Sequence, residues 1–383
     1  MKYNPSFANR FPSHDSGITL VNEVSPTLIS VQKKLNHIYW FAYFNMNCPS
    51  VRYRGKYVLE YLNEKHGIAY SIIHPGYRPK EIFLFLKTYF SVLFFRKKNS
   101  IIVFQKIYTR GLYATALKIL LLFRNHQTVY DIDDAEYLRF PAATVHFFMR
   151  HCQNIFVGSK ALADYAGLYN RCVKLLTSPV ILHEQVKTKR NKLFTVGWIG
   201  FYNTPHESSK PFSHKTILEQ MIFPAILQVD FSIRFTVLGV TNKMDADEIR
   251  EYFFPNPNVQ VEIPENIDWL DEAGVYSRVK EFDAGVAPLL DCEMHRAKSA
   301  FRIKQYLSCG VPVLANDVGE NKLFVKDGFN GFLCSDSAAF KEGLVRLKSL
   351  EDDAYHELSS NAHLSIPLFS MKSYCYDFLQ PCL

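Results

Sequence analysis

The stretch Arg296–Asn316, RAKSAFRIKQYLSCGVPVLAN, decides the fold. Its first part has helical spacing over 297–309. It then runs through a Cys309-Gly310-Val311-Pro312 turn into a short apolar strand, VPVLAN, over 311–316. A helix returned so abruptly to a strand is the repeating unit of parallel α/β sheets. The same stretch raises a chemical question. Arg296, Lys298, Arg302 and Lys304 crowd the start of the helix, an end whose unpaired N–H groups already carry about half a positive charge. Further cations there are unfavourable unless an anion arrives.

The alternation extends in both directions. Upstream, strand patterns fall at 37–44, 70–75, 100–106, 128–133, 154–159 and 173–178, with helical patterns over 57–65, 81–98, 111–124 and 160–169. After a polar linker, HEQVKTKRNK (183–192), the pattern restarts. Strands are expected at 193–200, 231–240, 258–263, 282–289, 311–316 and 330–335. The helices between them fall at 215–228, 245–254, 270–280, 297–309, 319–326 and 337–350. A chain of 383 residues exceeds one core. The expected organisation is α/β: two doubly wound, Rossmann-like domains facing each other across a cleft, over 35–182 and 193–365. A polar N-terminal extension covers 1–34, and a closing C-terminal helix covers 366–383 with Ser370 placed to cap it.

Composition narrows the function classes. Eight cysteines are scattered without CxxC spacing, which suits free thiols in a reducing compartment and argues against a disulfide framework or zinc site. The first residues, MKYNPSFANRFPSHDSG, show no apolar signal segment. The longest apolar run, Ile82–Phe95, is too short for a membrane span of about 20 residues. A cytoplasmic location is the expectation. Charge is unevenly divided: residues 1–182 carry 23 Lys and Arg against 10 Asp and Glu, a net +13, whereas residues 183–383 carry 21 against 27, a net −6. A basic half points to a polyanionic partner, nucleic acid or an anionic membrane, or is an uneven surface without function. LKTYFSVLFFRKK sets an aromatic face beside Arg96, Lys97 and Lys98. It reads either as a segment lying at the inner face of a membrane or as a core helix with a basic end.

Ligands of doubly wound sheets bind at the carboxyl ends of strands, near helix N-termini. Four strand ends carry chemistry. VGWIG offers Gly197 and Gly200, which let backbone approach a phosphate or simply make a tight turn. FDAGVAPLLD closes a buried strand. YDIDDAEY carries Asp131, Asp133 and Asp134; these carboxylates suit a metal, a hydroxyl-bearing ligand or a loop cap. CPSVRYRGKY places Arg52 and Arg54 after the first strand, facing a ligand or solvent. The histidines show no HxH or HExxH spacing, and His295 reads as a loop residue. No Ser/His/Asp arrangement is legible.

The order of Gly-Trp-Ile-Gly, Asp-x-Gly-x-x-Pro-Leu, KSAFRIKQYLSCGVPVLANDVG and DGFNGFLC resembles the C-terminal half of retaining GT-B fold glycosyltransferases, close to family 4 (glycosyl transferases group 1). The resemblance covers about 190–335, with weaker support upstream in CPSVRYRGKYVLEYL and VYDIDDAEYL. It implies a sugar transferase that takes a nucleotide-sugar donor and a glycan or lipid-linked acceptor, without nucleic acid, cofactor or essential metal. The donor diphosphate would rest on the helix N-terminus. Lys298 and Arg302 would clamp it, with Arg296 as a looser third, Ser299 and the N–H groups of 297–300 alongside, and Gly197 and Gly200 nearby. Ile263 would adjoin the base and Gln305 the ribose. Arg52 and Arg54 would face phosphate or acceptor, while Asp133 and Asp134 join Lys298 as catalytic candidates. The chain departs from the family in two places. The family's paired glutamates are replaced by Ala297 and Gln305. The loop FYNTPHESSKPFSHK is long, with only Lys210 and Lys215 to serve the phosphates. Two alternatives stay open, a GT-B fold nucleotide-sugar epimerase and a non-catalytic nucleotide- or glycan-binding relative.

Overall fold

The computed structural model describes residues 35–76, 78–95, 99–122, 127–184, 186–203 and 213–380. The extension 1–34, the basic run Arg96-Lys97-Lys98, Lys210 and Cys382 lie outside them. Two six-stranded, all-parallel sheets form the frame. The first comprises β1 (His37–Ala42), β2 (Ala69–Ile73), β3 (Ser100–Gln105), β4 (Gln127–Ile132), β5 (Asn154–Val157) and β6 (Val173–Leu175), in the order β2-β1-β3-β4-β5-β6. The second comprises β7 (Phe194–Ile199), β8 (Ile233–Leu238), β9 (Val259–Glu262), β10 (Ala284–Ala287), β11 (Val313–Ala315) and β12 (Gly331–Leu333), in the order β12-β11-β10-β7-β8-β9. Each expected strand pattern coincides with one of these strands, β2 and β4 beginning one residue earlier than expected. Central strands such as HIYWFA and FTVGWI are buried throughout, because parallel sheets carry helices on both faces.

In each sheet the order reverses once. β1 pairs with both β2 and β3, and β7 pairs with both β8 and β10. Crevices open where connections leave such a strand in opposite directions. The helices needed below are α1 (Tyr57–His66), α2 (Pro79–Phe95), α3 (Leu112–Leu122), α4 (Ala143–His151), α5 (Lys160–Ala166), α6 (Glu272–Lys280), α7 (Phe301–Ser308), α8 (Asp352–Leu364) and α9 (Met371–Leu379).

Two helices, α4 and α8, have no counterpart in the sequence expectations. Neither has a side-chain N-cap, so the usual start signal is missing. The helix expected from 297 begins only at Phe301. Glu293–Arg296 forms a turn of its own, and Ala300 adopts a left-handed conformation (φ +49°) that separates the two. Ser370 caps α9 by accepting from Ser373 N–H. That helix returns to the first domain, burying Tyr374, Cys375, Phe378 and Leu379 against a core that includes Trp40, Val58 and Phe156. The seven cysteines among the described residues are unpaired.

Arg54 belongs to this frame. It lies in a π-helical turn, Val51–Lys56, between β1 and α1 and is fully buried. Its guanidinium pairs with Asp131 at the end of β4, 2.5 Å away, and donates to the Leu176 carbonyl just beyond β6 (2.6 Å). The pair ties together the ends of three strands. Removing one partner of a buried pair strands the other charge, at about 3–5 kcal/mol. Arg54→Met should therefore unfold at a markedly lower temperature or denaturant concentration; a variant as stable as wild type would show that Asp131 needs no partner.

Candidate active site

The carboxyl ends of the two sheets face one another across a cavity of about 340 Å³. The first domain contributes the loop after β1 (Asn47–Tyr53), Lys106 after β3, and Asp133 and Asp134 after β4. The second contributes Ile199–Phe201 after β7, Ala287 and Leu289 beside β10, Glu272 at the start of α6, and the segment Lys298–Ile303 with Gln305. Two non-glycine residues, one from each side of the cleft, Lys106 (φ +53°) and Ala300 (φ +49°), hold left-handed backbone. Each such residue costs about 1 kcal/mol or more, so packing around the cleft enforces both.

Lys106 is the centre of an acidic cluster. Its Nζ lies 2.5 Å from Asp134 Oδ2, 3.1 Å from Asp133 Oδ1 and 3.4 Å from Glu136 Oε1. Burial alone would lower its pKa, but the surrounding carboxylates hold it well above the usual lysine value. Burial also pushes Asp133 up, against the pull of Lys106. Asp133 Oδ1 is buried and, apart from that ion pair, has no aligned hydrogen bond. Asp134 behaves oppositely. Burial would raise it, yet Lys106 and Lys298 together hold it well below the carboxylate range. Lys298 reaches it from the second domain, with Nζ 3.0 Å from Asp134 Oδ1.

Arg302 sits on the first turn of α7. Its Nε donates to the Ile199 carbonyl, and its guanidinium lies 4.7 Å from the centroid of the Trp198 ring. Burial lowers its pKa from the ordinary arginine value. Gly200 makes room for it: a Cβ there would stand 2.5 Å from Arg302 Nη2 and 3.0 Å from the Trp198 ring. Behind this, Gly239 (φ +113°) has no space for a side chain, because the Gly200 carbonyl fills it. No side chain caps the α7 N-terminus, and Phe301, Arg302 and Ile303 there line the cavity. His214 adjoins the same wall, edge-on to Trp198 at 5.5 Å. Burial and the nearby Arg302 and Lys298 charges hold its imidazole well below its usual pKa.

A second cross-domain junction forms at Glu272. Its carboxylate accepts from Tyr53 OH and from Tyr57 OH (2.8 Å) and pairs with Arg52 Nε (3.1 Å), all three from the first domain. Arg52 also donates to the Met46 and Asn47 carbonyls, each at 2.9 Å. Nearby, Ser159 Oγ donates to the Ala297 carbonyl (2.8 Å), and Lys160 N–H donates to Glu320 (2.9 Å).

Of the residues singled out from sequence, Arg52, Asp133, Asp134, Gly200, Lys298, Ser299, Arg302 and Gln305 line the cavity. Arg54 does not, being turned inward to Asp131. Gly197 does not either; it leaves room for the Phe282 ring inside the second domain. Ile263 packs in that domain's apolar core. Arg296 faces outward on Asp291 (2.6 Å), and Lys304 is buried on Thr177 Oγ1 (2.6 Å) and the Ser178 carbonyl (2.7 Å). Lys215 pairs with Glu248 at 2.5 Å. Sequence reasoning missed Lys106, His214 and Glu272. Lys106 was within reach, since it ends the strand pattern SIIVFQK at its ligand-facing edge.

Residues 210–349 match the family model described as glycosyl transferases group 1. No curated protein sequence matches the chain. Among solved structures, Anabaena HepE in complex with UDP and glucose superposes with a TM-score of 0.61 at 14% identity, over 90% of this chain and 98% of that one. Sucrose-phosphate synthase from Thermosynechococcus elongatus gives 0.65 at 12% identity, over 90% and 98%. The lipopolysaccharide outer core galactosyltransferase WaaB gives 0.57 at 11%, over 89% and 98%. The architecture is GT-B, and the second domain carries the match to group 1 glycosyl transferases.

Proposed function

We propose that the chain moves a sugar from a nucleotide-diphosphate donor to a hydroxyl of a glycan or lipid-linked acceptor, with retention at the anomeric carbon, in the synthesis of cell-surface polysaccharide or glycoconjugate. The observation that carries the reading is one wall of the cleft. There the uncapped first turn of α7, Arg302 and Lys298 converge within the segment that matches the family model. Free N–H groups and the helix dipole favour an anion at such a turn, and Arg302 can engage phosphate bidentately. UDP in the HepE structures supports a diphosphate nucleotide as the donor's handle.

On this reading Gln305 adjoins the ribose and Ser299 the phosphates. Arg302, held by the Ile199 carbonyl and the Trp198 face, is ready before the donor arrives. As the glycosidic bond to the diphosphate breaks, negative charge builds on the leaving oxygens and positive charge at the anomeric carbon. Arg302 and Lys298 on one side and the Asp133 carboxylate on the other counter these two charges, the kind of electrostatic stabilisation that is usually the largest catalytic term. Lys106 from within and Lys298 from the facing domain already supply cations to the acidic cluster, which supports a reaction without an essential metal. Ala297 offers no side-chain acceptor to sugar hydroxyls, so Asp133, with its oxygen lacking an aligned donor, is the better candidate for that contact.

The exposed face of α2 supports an acceptor held at a membrane. Ile82, Phe83, Leu86, Phe90 and Phe94 lie along it, with Phe83 67% and Phe94 60% exposed, and the neighbouring α3 adds Leu112, Ile119 and Leu122. From Ile82 to Tyr130 the chain holds eight Lys and Arg and no Asp or Glu. An apolar face within a stretch that, after Glu81, carries cations and no acids fits an anionic lipid surface. No described helix is long and apolar enough to cross a membrane. The exposed apolar face of α2 supports peripheral attachment, proposed at the inner face of the membrane.

Three measurements test these assignments. Lys298→Ala should weaken binding of a nucleoside diphosphate far more than that of the bare nucleoside, because only the phosphates lose a charge-assisted partner worth about 1.5–3 kcal/mol; equal weakening of both would remove Lys298 from the clamp. Asp133→Asn should cut turnover at least about tenfold, or ~1.4 kcal/mol of barrier, with nucleoside diphosphate affinity unchanged. Full activity with lower thermal stability would instead make the cluster a loop brace. Finally, the chain should co-sediment with phosphatidylglycerol vesicles at low salt, each nearby cation adding about 1 kcal/mol, and a Phe83→Ser/Phe90→Ser variant should not. Failure to sediment, or equal binding to neutral vesicles, would end the membrane reading.

A further inference from the structure

We propose that Asp134 is the resident counter-ion of Lys298: the incoming diphosphate must displace it, and it takes Lys298 back as the nucleoside diphosphate leaves. The inference rests on the donor reading above and assigns Asp134 a gating role in place of a catalytic one.

The two cations of the phosphate wall are held differently. Arg302 is buried and fixed by a carbonyl and an aromatic face of its own domain. Lys298 is about one-quarter exposed, lies in the loop before α7, and spends its ammonium on a carboxylate of the facing domain. Asp134 does not depend on Lys298 for its place, because Lys106 holds its other oxygen. Yet three carboxylates surround that one buried ammonium, and the residual negative charge draws a second cation in. The low pKa of Asp134 agrees with two lysines sharing it.

A diphosphate bears more negative charge than one carboxylate and also meets the uncapped turn of α7, so it can win Lys298 from Asp134. The exchange exposes Asp134 Oδ1 to the cleft as the donor settles. When the product's phosphates begin to leave, Asp134 competes for the same ammonium and lowers product affinity. Such a residue weakens binding in order to permit release, and its removal should tighten binding, which structural damage does not do.

The experiment is a calorimetric titration of wild type, Asp134→Asn, Lys298→Ala and the double variant. The titrants are whichever of UDP, GDP and ADP binds wild type most tightly, and its parent nucleoside. Asp134→Asn should bind the diphosphate about fivefold more tightly, the scale of one partly exposed ion pair, with nucleoside affinity unchanged. In the Lys298→Ala background the same substitution should give no tightening. If Asp134→Asn binds as wild type or more weakly while Lys298→Ala still loses affinity, the counter-ion role falls and the donor site stands. Tightening that persists without Lys298 would also overturn it, since the gain would then be a general loss of negative charge. If none of the three diphosphates binds wild type, the donor reading itself fails.

Discussion

A lysine ammonium buried among carboxylates sets the terms for the whole cleft. Lys106 is aimed inward by a left-handed backbone that an ordinary L-residue adopts only under constraint. Taking such a charge from water costs several kcal/mol unless partners surround it. Asp133, Asp134 and Glu136 supply those partners, and they overshoot. The excess negative charge draws Lys298 across from the second domain. Burial, with Asp134 beside it, raises the proton affinity of Asp133 against the pull of Lys106. The wall that carries Lys298 and Arg302 and the acidic wall are thus linked across the cleft.

The two domains meet through pairs that run in opposite senses. At one end of the cleft a second-domain cation, Lys298, reaches a first-domain acid. At the other, a second-domain acid, Glu272, receives first-domain donors from Arg52, Tyr53 and Tyr57. Neither wall is uniformly positive or negative, so closure brings unlike charges together at both ends. Excluding water strengthens such contacts. The return of α9 to the first domain adds an apolar tie that needs no ligand.

Much of this was legible in the chain, for physical reasons that also mark where legibility stops. Parallel strands buried on both faces read as short apolar runs, so all twelve could be located. Cavity-lining positions followed wherever a motif ended a strand. Gly200 sits at the end of β7, where a ligand can come near, while Gly197 lies inside the strand, where its missing side chain admits Phe282. Spacing could not separate Arg52 from Arg54. Two residues apart on a helical turn, they point to nearly opposite sides, one to the cleft and one to the buried Asp131. The late start of α7 was hidden because left-handed backbone is usually announced by Gly or Asn, and here the residue is alanine. Glu272 stayed invisible because its partners lie more than two hundred residues away.

The net charges of the two halves mislead about the site between them. The basic half supplies the acids of the cleft, Asp133 and Asp134, and the acidic half supplies the cations Lys298 and Arg302 that line the opposite wall. This inversion bears on the departure at Ala297. That residue is buried against the first domain's apolar core, and its carbonyl accepts from Ser159 of that domain, so a longer side chain there would press on an interdomain contact. On the proposed function, with no side-chain acceptor at that point, the facing wall, Asp133 above all, supplies acceptors for the sugar hydroxyls. They can serve only when the domains are together. Reactivity would then depend on closure more tightly than in an arrangement where one domain alone holds both phosphate and sugar.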